Sequence, residues 1–178
     1  MKIYTKTGDK GTTSLFNGKR VSKDNPLIDL LGELDSINSH VGLLLSVLDQ
    51  KKFLTEVVLL YKIQSILFSI GTEVAYPKKH KELKLLDMTE TLEKHIDEMD
   101  KELKPLKNFI LPGGSYEASI AHVLRTTTRH VERKFINKRK SYNSKDVGIF
   151  LNRLSDYFFT LARLINHKLK VPDSIWKK

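Results

Sequence analysis

The segment from Gln50 to about Tyr76 constrains the fold most. Leu54, Val57, Val58, Leu60, Ile63, Leu67, Ile70 and Val74 cover nearly every side of a helix turning about 100° per residue. A helix that is apolar almost all round has to be surrounded, which predicts a bundle with this helix as its most buried member. Lys62 and Gln64 interrupt the apolar run, which argues against a membrane span. The preceding segment supplies a neighbour. It starts at Asp24-Asn25-Pro26 and runs to about Asp49. Its Leu27, Leu30, Leu34, Ile37, Val41, Leu44 and Leu48 recur three and four apart as a bundle seam, with Asp35, Asn38 and Ser39 beside or behind it.

Three more helices follow. A polar, basic connection over 77–88 leads to a shorter one from about Met88 to Leu103, striped by Leu92, Ile96 and Met99 and ended by Pro105. Phe109 to Ser115 reads as a stop, a turn and a new start, and the fourth helix continues to about Lys138. Lys140 to Asn143 predicts a turn, with Ser144 as the N-cap of a fifth helix reaching about Lys168. Val147, Leu151, Leu154, Phe158, Leu161 and Ile165 form its core stripe, and Asn152, Asp156, Phe159, Arg163 and Asn166 lie opposite. An aromatic within a polar stripe predicts a covered face. Two adjacent helices with such second faces predict a subunit interface. The expected fold is all-α: one domain over 1–178, a five-helix bundle with ferritin-like up-down packing. It would comprise an extended N-terminal segment (1–24), the bundle (25–168) and a tail (169–178).

Composition excludes some chemistry. The chain has no cysteine, hence no disulfide or thiolate site, which suits a reducing compartment; with no apolar leader, a cytoplasmic location is expected. Ferritin-like di-iron chemistry needs Glu-x-x-His pairs, and none occurs. His-Glu-x-x-His and Gly-x-Ser-x-Gly are also missing. A net charge of +10 points to an anionic partner: nucleic acid, an acidic membrane surface or a phosphorylated small molecule.

Three stretches carry candidate chemistry. In Ala121–Arg133, the core side bears Ile120, Leu124, Thr127, Val131 and Phe135. The other bears Ala118, Ala121, His122, Arg125, Arg129 and Glu132. Arginines one turn apart project together and can grip one anion with forked donors; the same residues also suit a solvated face. Thr5-Lys6-Thr7-Gly8-Asp9-Lys10-Gly11-Thr12-Thr13-Ser14 reads either as a flexible terminus or as a backbone N–H nest for phosphate, though not as a Walker A loop. Phe109-Ile110-Leu111 either plugs the end of the bundle or lines an apolar pocket beside Arg125.

Together these stretches resemble a PduO-type ATP:cob(I)alamin adenosyltransferase. TKTGDKGTT, GELDSIN, FILPGG, RTTTRHVER and FLNRLSDYFFTLAR stand in the family's order and spacing over nearly the whole chain. The resemblance implies a homotrimer with active sites between subunits. The 5′-deoxyadenosyl group of ATP passes to cobalt(I) of cobalamin, triphosphate leaves, and Mg²⁺ assists. By motif, Thr5, Lys6, Thr7, Gly8, Thr13, Ser14 and Lys23 wrap the triphosphate. Arg129, Glu132 and Arg133 complete the nucleotide site with His130 and Val131 beside them, and Asn152 contacts the nucleoside. Arg125 pairs with Asp35 of a neighbouring subunit, and these two join Arg129 and Glu132 as the catalytic set. Phe109 presses on the lower face of the corrin. His130 stands where the family commonly has a second arginine. The expected partners are ATP, cobalamin and an electron-donating reductase, with neither nucleic acid nor membrane. The alternative is a basic helical nucleic-acid-binding protein. It would want its cations on an exposed face, whereas Arg125 and Arg129 share theirs with alanines. A purely structural bundle would leave the Gly/Thr/Lys segment without a purpose.

Overall fold

A computed structural model describes residues 2–15, 17–76, 83–138 and 145–177. Five helices follow a small hairpin: β1 (Thr12–Ser14), β2 (Arg20–Ser22), α1 (Pro26–Val47), α2 (Leu54–Ala75), α3 (Leu86–Glu102), α4 (Tyr116–Lys138) and α5 (Lys145–Lys168). The all-α bundle is thus as expected, with one addition. The two strands pair antiparallel, Thr13 opposite Val21, in a segment read from sequence as merely extended. Lys2–Thr5 joins no strand. The expected basic connection near 77–82 and the turn and cap at Lys140–Ser144 lie outside the described residues.

Local chemistry sets the boundaries. Asn25 caps α1, its Oδ1 accepting from Leu27 N at 2.9 Å, and Pro26 opens the helix where no donor is needed. α1 ends at Val47 and α2 begins at Leu54, a wider gap than the periodicity implied. Asp49 fills it: its Oδ1 accepts from Lys51 N and Lys52 N, and the turn drives Phe53 into the core. These two donors hold the Asp49 carboxyl below its usual pKa. The start of α3 is tied to that of α5 by Leu85 N donating to Asp146 Oδ2 at 3.2 Å.

The packing order corrects one expectation. α5 is the central helix, packed on both α3 and α4; α4 also meets α1, and α1 meets α2. Phe150, Tyr157 and Phe158 of α5 are fully buried. α2 sits at the margin, with Leu54, Val58, Tyr61 and Phe68 exposed, Phe68 to 68 %. Apolar content alone is no guide to position when a single neighbouring helix packs closely on this one. Nor do Lys62 and Gln64 remove α2 from membrane-spanning range: its 22 residues are long and apolar enough by length and composition.

Candidate active site

The N-terminal segment folds into a compact donor-rich loop. Gly11 adopts φ +76° and Lys6 φ +59°, turning the chain back on itself. Lys23 N donates to Gly11 O at 2.9 Å, and the Lys23 ammonium lies over Gly8, where a Cβ would stand only 3.3 Å from its Nζ. Thr5 and Thr7 share a hydroxyl bond of 2.8 Å. Arg20, which the sequence reading overlooked, staples the loop: its guanidinium donates to Thr7 O at 2.5 Å, Thr12 O at 3.1 Å, Ser14 Oγ at 3.2 Å and the Thr12 hydroxyl. A cation facing two carbonyls of one turn is visible only in three dimensions. Lys23 also borders a cleft of about 630 Å³ along the start of α1, with Asp24, Asp29 and Glu33.

The second set of residues lies on α4 and α5. Ala118 and Ala121 are fully buried, so the small residues of α4 let α5 approach closely. Beyond them His122 is buried, Arg125 is half-buried and Arg129 is exposed. Arg125 Nε is sealed from water without a hydrogen-bond partner among the described residues. Its pKa is pushed down, first by burial and then by the Arg129 charge. Arg129 and Arg133 form no ion pair among the described residues. Glu132 accepts from Asn152 Nδ2 at 3.0 Å, joining two residues twenty positions apart that the motifs assigned to one nucleotide. His130 faces the opposite way, its Nε2 3.5 Å from Glu33 of α1, and Val131 is wholly in the core. Only their backbones are left to line a site beside Arg129.

Phe109 is 79 % exposed, so it does not plug the bundle. It is held from behind by the tail. Ile110 bridges Ile175, Leu111 N donates to Ser174 O at 2.8 Å, and Trp176 N donates to Phe109 O at 2.8 Å. The Phe109 and Trp176 rings meet edge-on at 6.4 Å. Phe109, Ile110, His122, Arg125 and Phe159 line a cavity of about 550 Å³. The loop that carries Phe109 is clamped by buried Asn166, which accepts from Ser115 N at 2.9 Å and donates to Gly113 O at 3.0 Å. Arg163, also buried, donates to Lys104 O at 2.7 Å and to Asp173 at 3.3 Å. The second face of α5, read from sequence as a subunit contact, is therefore covered in this stretch by the chain's own loop and tail.

Residues 3–165 match the profile of the family described as Cobalamin adenosyltransferase. The chain belongs to that family. It is 42 % identical to a corrinoid adenosyltransferase of Bacillus subtilis (strain 168), covering 97 % of this chain and 91 % of that one. It is 37 % identical to the Homo sapiens corrinoid adenosyltransferase MMAB, over 99 % of this chain and 74 % of the relative. Among solved structures it superposes with a TM-score of 0.92 and 37 % identity on a variant PduO-type ATP:corrinoid adenosyltransferase from Lactobacillus reuteri complexed with cobalamin and ATP, covering 99 % and 100 % of the two chains.

In this family member the predicted residues fall into two groups. Thr5, Lys6, Thr7, Gly8, Thr13, Ser14 and Lys23 share the hairpin region. Arg125, Arg129, Glu132, Arg133, Asn152 and Phe109 cluster around α4. Among the described residues no hydrogen bond or ion pair joins the hairpin region to α4 or α5. Asp35 is exposed on α1 and, among the described residues, forms no ion pair.

Proposed function

We propose that this chain transfers the 5′-deoxyadenosyl group of ATP to the cobalt of reduced cobalamin, and that it does so at sites shared between subunits of a homotrimer. The supporting observation is the α4 cluster: a half-buried Arg125, its Nε without a partner among the described residues, one turn from open Arg129, beside the Glu132–Asn152 pair, with Phe109 presented at the mouth of the same cavity. The separation of the hairpin region from this cluster favours assembly from two chains. So do the exposed Phe68 and Tyr61 of α2, and Asp35 and Arg125, neither of which forms an ion pair among the described residues.

Cobalt(I) is a strong nucleophile, so the reaction needs no side-chain base. Its lone pair attacks C5′ of ATP, the Co–C bond forms, the C5′–O bond breaks, and the electron pair leaves on triphosphate. The chain's contribution is alignment and charge. Lys6, Lys23 and the hairpin amides hold the triphosphate, and Arg129 strengthens its grip as the leaving group gains charge. Asn152, oriented by Glu132, fixes the nucleoside. Phe109 lies against the lower face of the corrin, where its ring takes the space of a lower axial ligand and eases reduction to cobalt(I). Among the described residues no cluster of three or more His, Asp or Glu fits a metal ion. Mg²⁺ would then be held by the phosphates of ATP. An electron-donating reductase and a cytoplasmic setting complete the reading.

Anaerobic incubation with ATP, Mg²⁺ and chemically reduced cobalamin tests it: adenosylcobalamin and triphosphate should appear together. Sedimentation equilibrium should show a trimer, and a monomer at micromolar concentration would remove the shared site. The nucleic-acid alternative predicts tight, salt-sensitive RNA or DNA binding without turnover.

A further inference from the structure

His122 is a costly residue where it stands. It is 4 % exposed, and both ring nitrogens are sealed from water with no hydrogen-bond partner among the described residues. Buried polar groups are rarely left so, because desolvation is then uncompensated. The ring packs on Phe159, centroids 6.1 Å apart, and lines the cavity that Phe109, Ile110 and Arg125 also line. Burial, and next the Arg125 charge, push its pKa down against a weaker pull from Asp173, so the imidazole is neutral near pH 7. A neutral imidazole offers one donor and one acceptor. An anion entering the cavity would turn to Arg125 instead, which offers charge and a fork of donors. A neutral group that is both donor and acceptor suits the imidazole better, and a primary carboxamide is one.

A corrin carries such carboxamides around its rim. We propose that His122 is a corrinoid-binding residue whose imidazole hydrogen-bonds a peripheral carboxamide of the substrate in the cavity beside Phe109. Rotation about the soft Cβ–Cγ bond turns a ring nitrogen into the cavity. The assignment rests on the adenosyltransferase reading above and adds a neutral polar contact to a cavity lined by Phe109, Ile110 and Phe159 beside Arg125. It also gives the site a preference. An amidated rim can use whichever ring nitrogen faces it, donor or acceptor, whereas a rim carboxylate in its place could use the donor alone.

The test is an anaerobic spectroscopic titration of the ATP-loaded protein with cob(II)alamin, alongside a separate titration with ATP. His122→Leu should raise the Kd for cob(II)alamin about tenfold, the effect of losing a buried neutral hydrogen bond or two, with ATP affinity unchanged. His122→Gln, itself a carboxamide with a donor and an acceptor, should recover most of the loss. Where leucine prevents folding, His122→Phe keeps the ring against Phe159 and should show the same loss. Unaltered cobalamin affinity in the leucine or phenylalanine variant would overturn the assignment. So would a loss that glutamine fails to rescue and that extends to ATP, because that pattern belongs to packing. Failure of the unaltered chain to bind cobalamin at all would overturn the adenosyltransferase reading itself, and the assignment with it.

Discussion

Gly114→Ala should be among the most damaging single-methyl additions in the chain. Gly114 adopts φ +112°, a conformation that side chains rarely accept. A Cβ there would overlap the Asn166 amide, lying 2.6 Å from its Cγ. Asn166 is 1 % exposed and has nowhere to retreat. Its three hydrogen bonds, from Ser115 N at 2.9 Å, to Gly113 O at 3.0 Å and to Asp173 Oδ1 at 3.3 Å, would be broken or bent. At about 1 kcal/mol for each of the three bonds and about 1–2 kcal/mol for the backbone, the cost is about 4–5 kcal/mol. For a chain of this size that lowers Tm by roughly 8–20 °C. The first turn of α4 and the Phe109 loop share this clamp, so corrinoid affinity should fall with stability. Thermal melts of Gly114→Ala, Asn166→Ala and the double variant decide it. Because both substitutions act on the same bonds, the double variant should lose clearly less than the sum of the two. A Tm for Gly114→Ala within about 2 °C of the parent, or full additivity, would refute the clamp.

Phe109→Ala should cost about 1 kcal/mol, since its ring is 79 % exposed and its main ring contact is the Trp176 edge; turnover should drop, more from cobalt(II) than from preformed cobalt(I), and a stability loss near 3–5 kcal/mol with normal turnover would mark a plug instead. Arg129→Lys keeps the charge but loses the planar fork, so steady-state kinetics should show impaired turnover, with Arg129→Ala worse; parent-like turnover in Arg129→Ala would remove α4 from the site. Lys23→Ala, and Lys6→Ala likewise, should weaken ATP roughly ten- to a hundred-fold in a binding titration and leave cobalamin affinity nearly unchanged. His122 has a lowered pKa when folded, so the unfolded chain protonates first as pH falls below about 6.5; the stability it contributes above that value should decline toward lower pH. The denaturation midpoint of the parent, relative to that of His122→Gln at the same pH, should therefore fall as the pH is lowered.

Much of this protein is written in one dimension. Helix number, helix type and approximate ends follow from apolar spacing, because a 3.6-residue period is a property of the chain itself. The N-cap at Asn25 and the stop at Pro105 are equally local. The family motifs are legible because they keep residue types at fixed spacing, and the structure does bring Glu132 and Asn152 within 3.0 Å. Which helix sits in the middle is another matter. Apolar content pointed to α2, yet α5 is central, since neighbours are chosen by how all faces fit at once and α2 meets only α1 closely. The polar stripe of α5 illustrates the same limit: Arg163 and Asn166 look like interface residues until the loop after Lys104 and the tail at Asp173 fold over them. Arg20, His122 and Trp176 gain their meaning only through residues distant in sequence. Hydrogen-bond satisfaction and burial are sums over everything within a few ångströms, and no spacing along the chain encodes that sum.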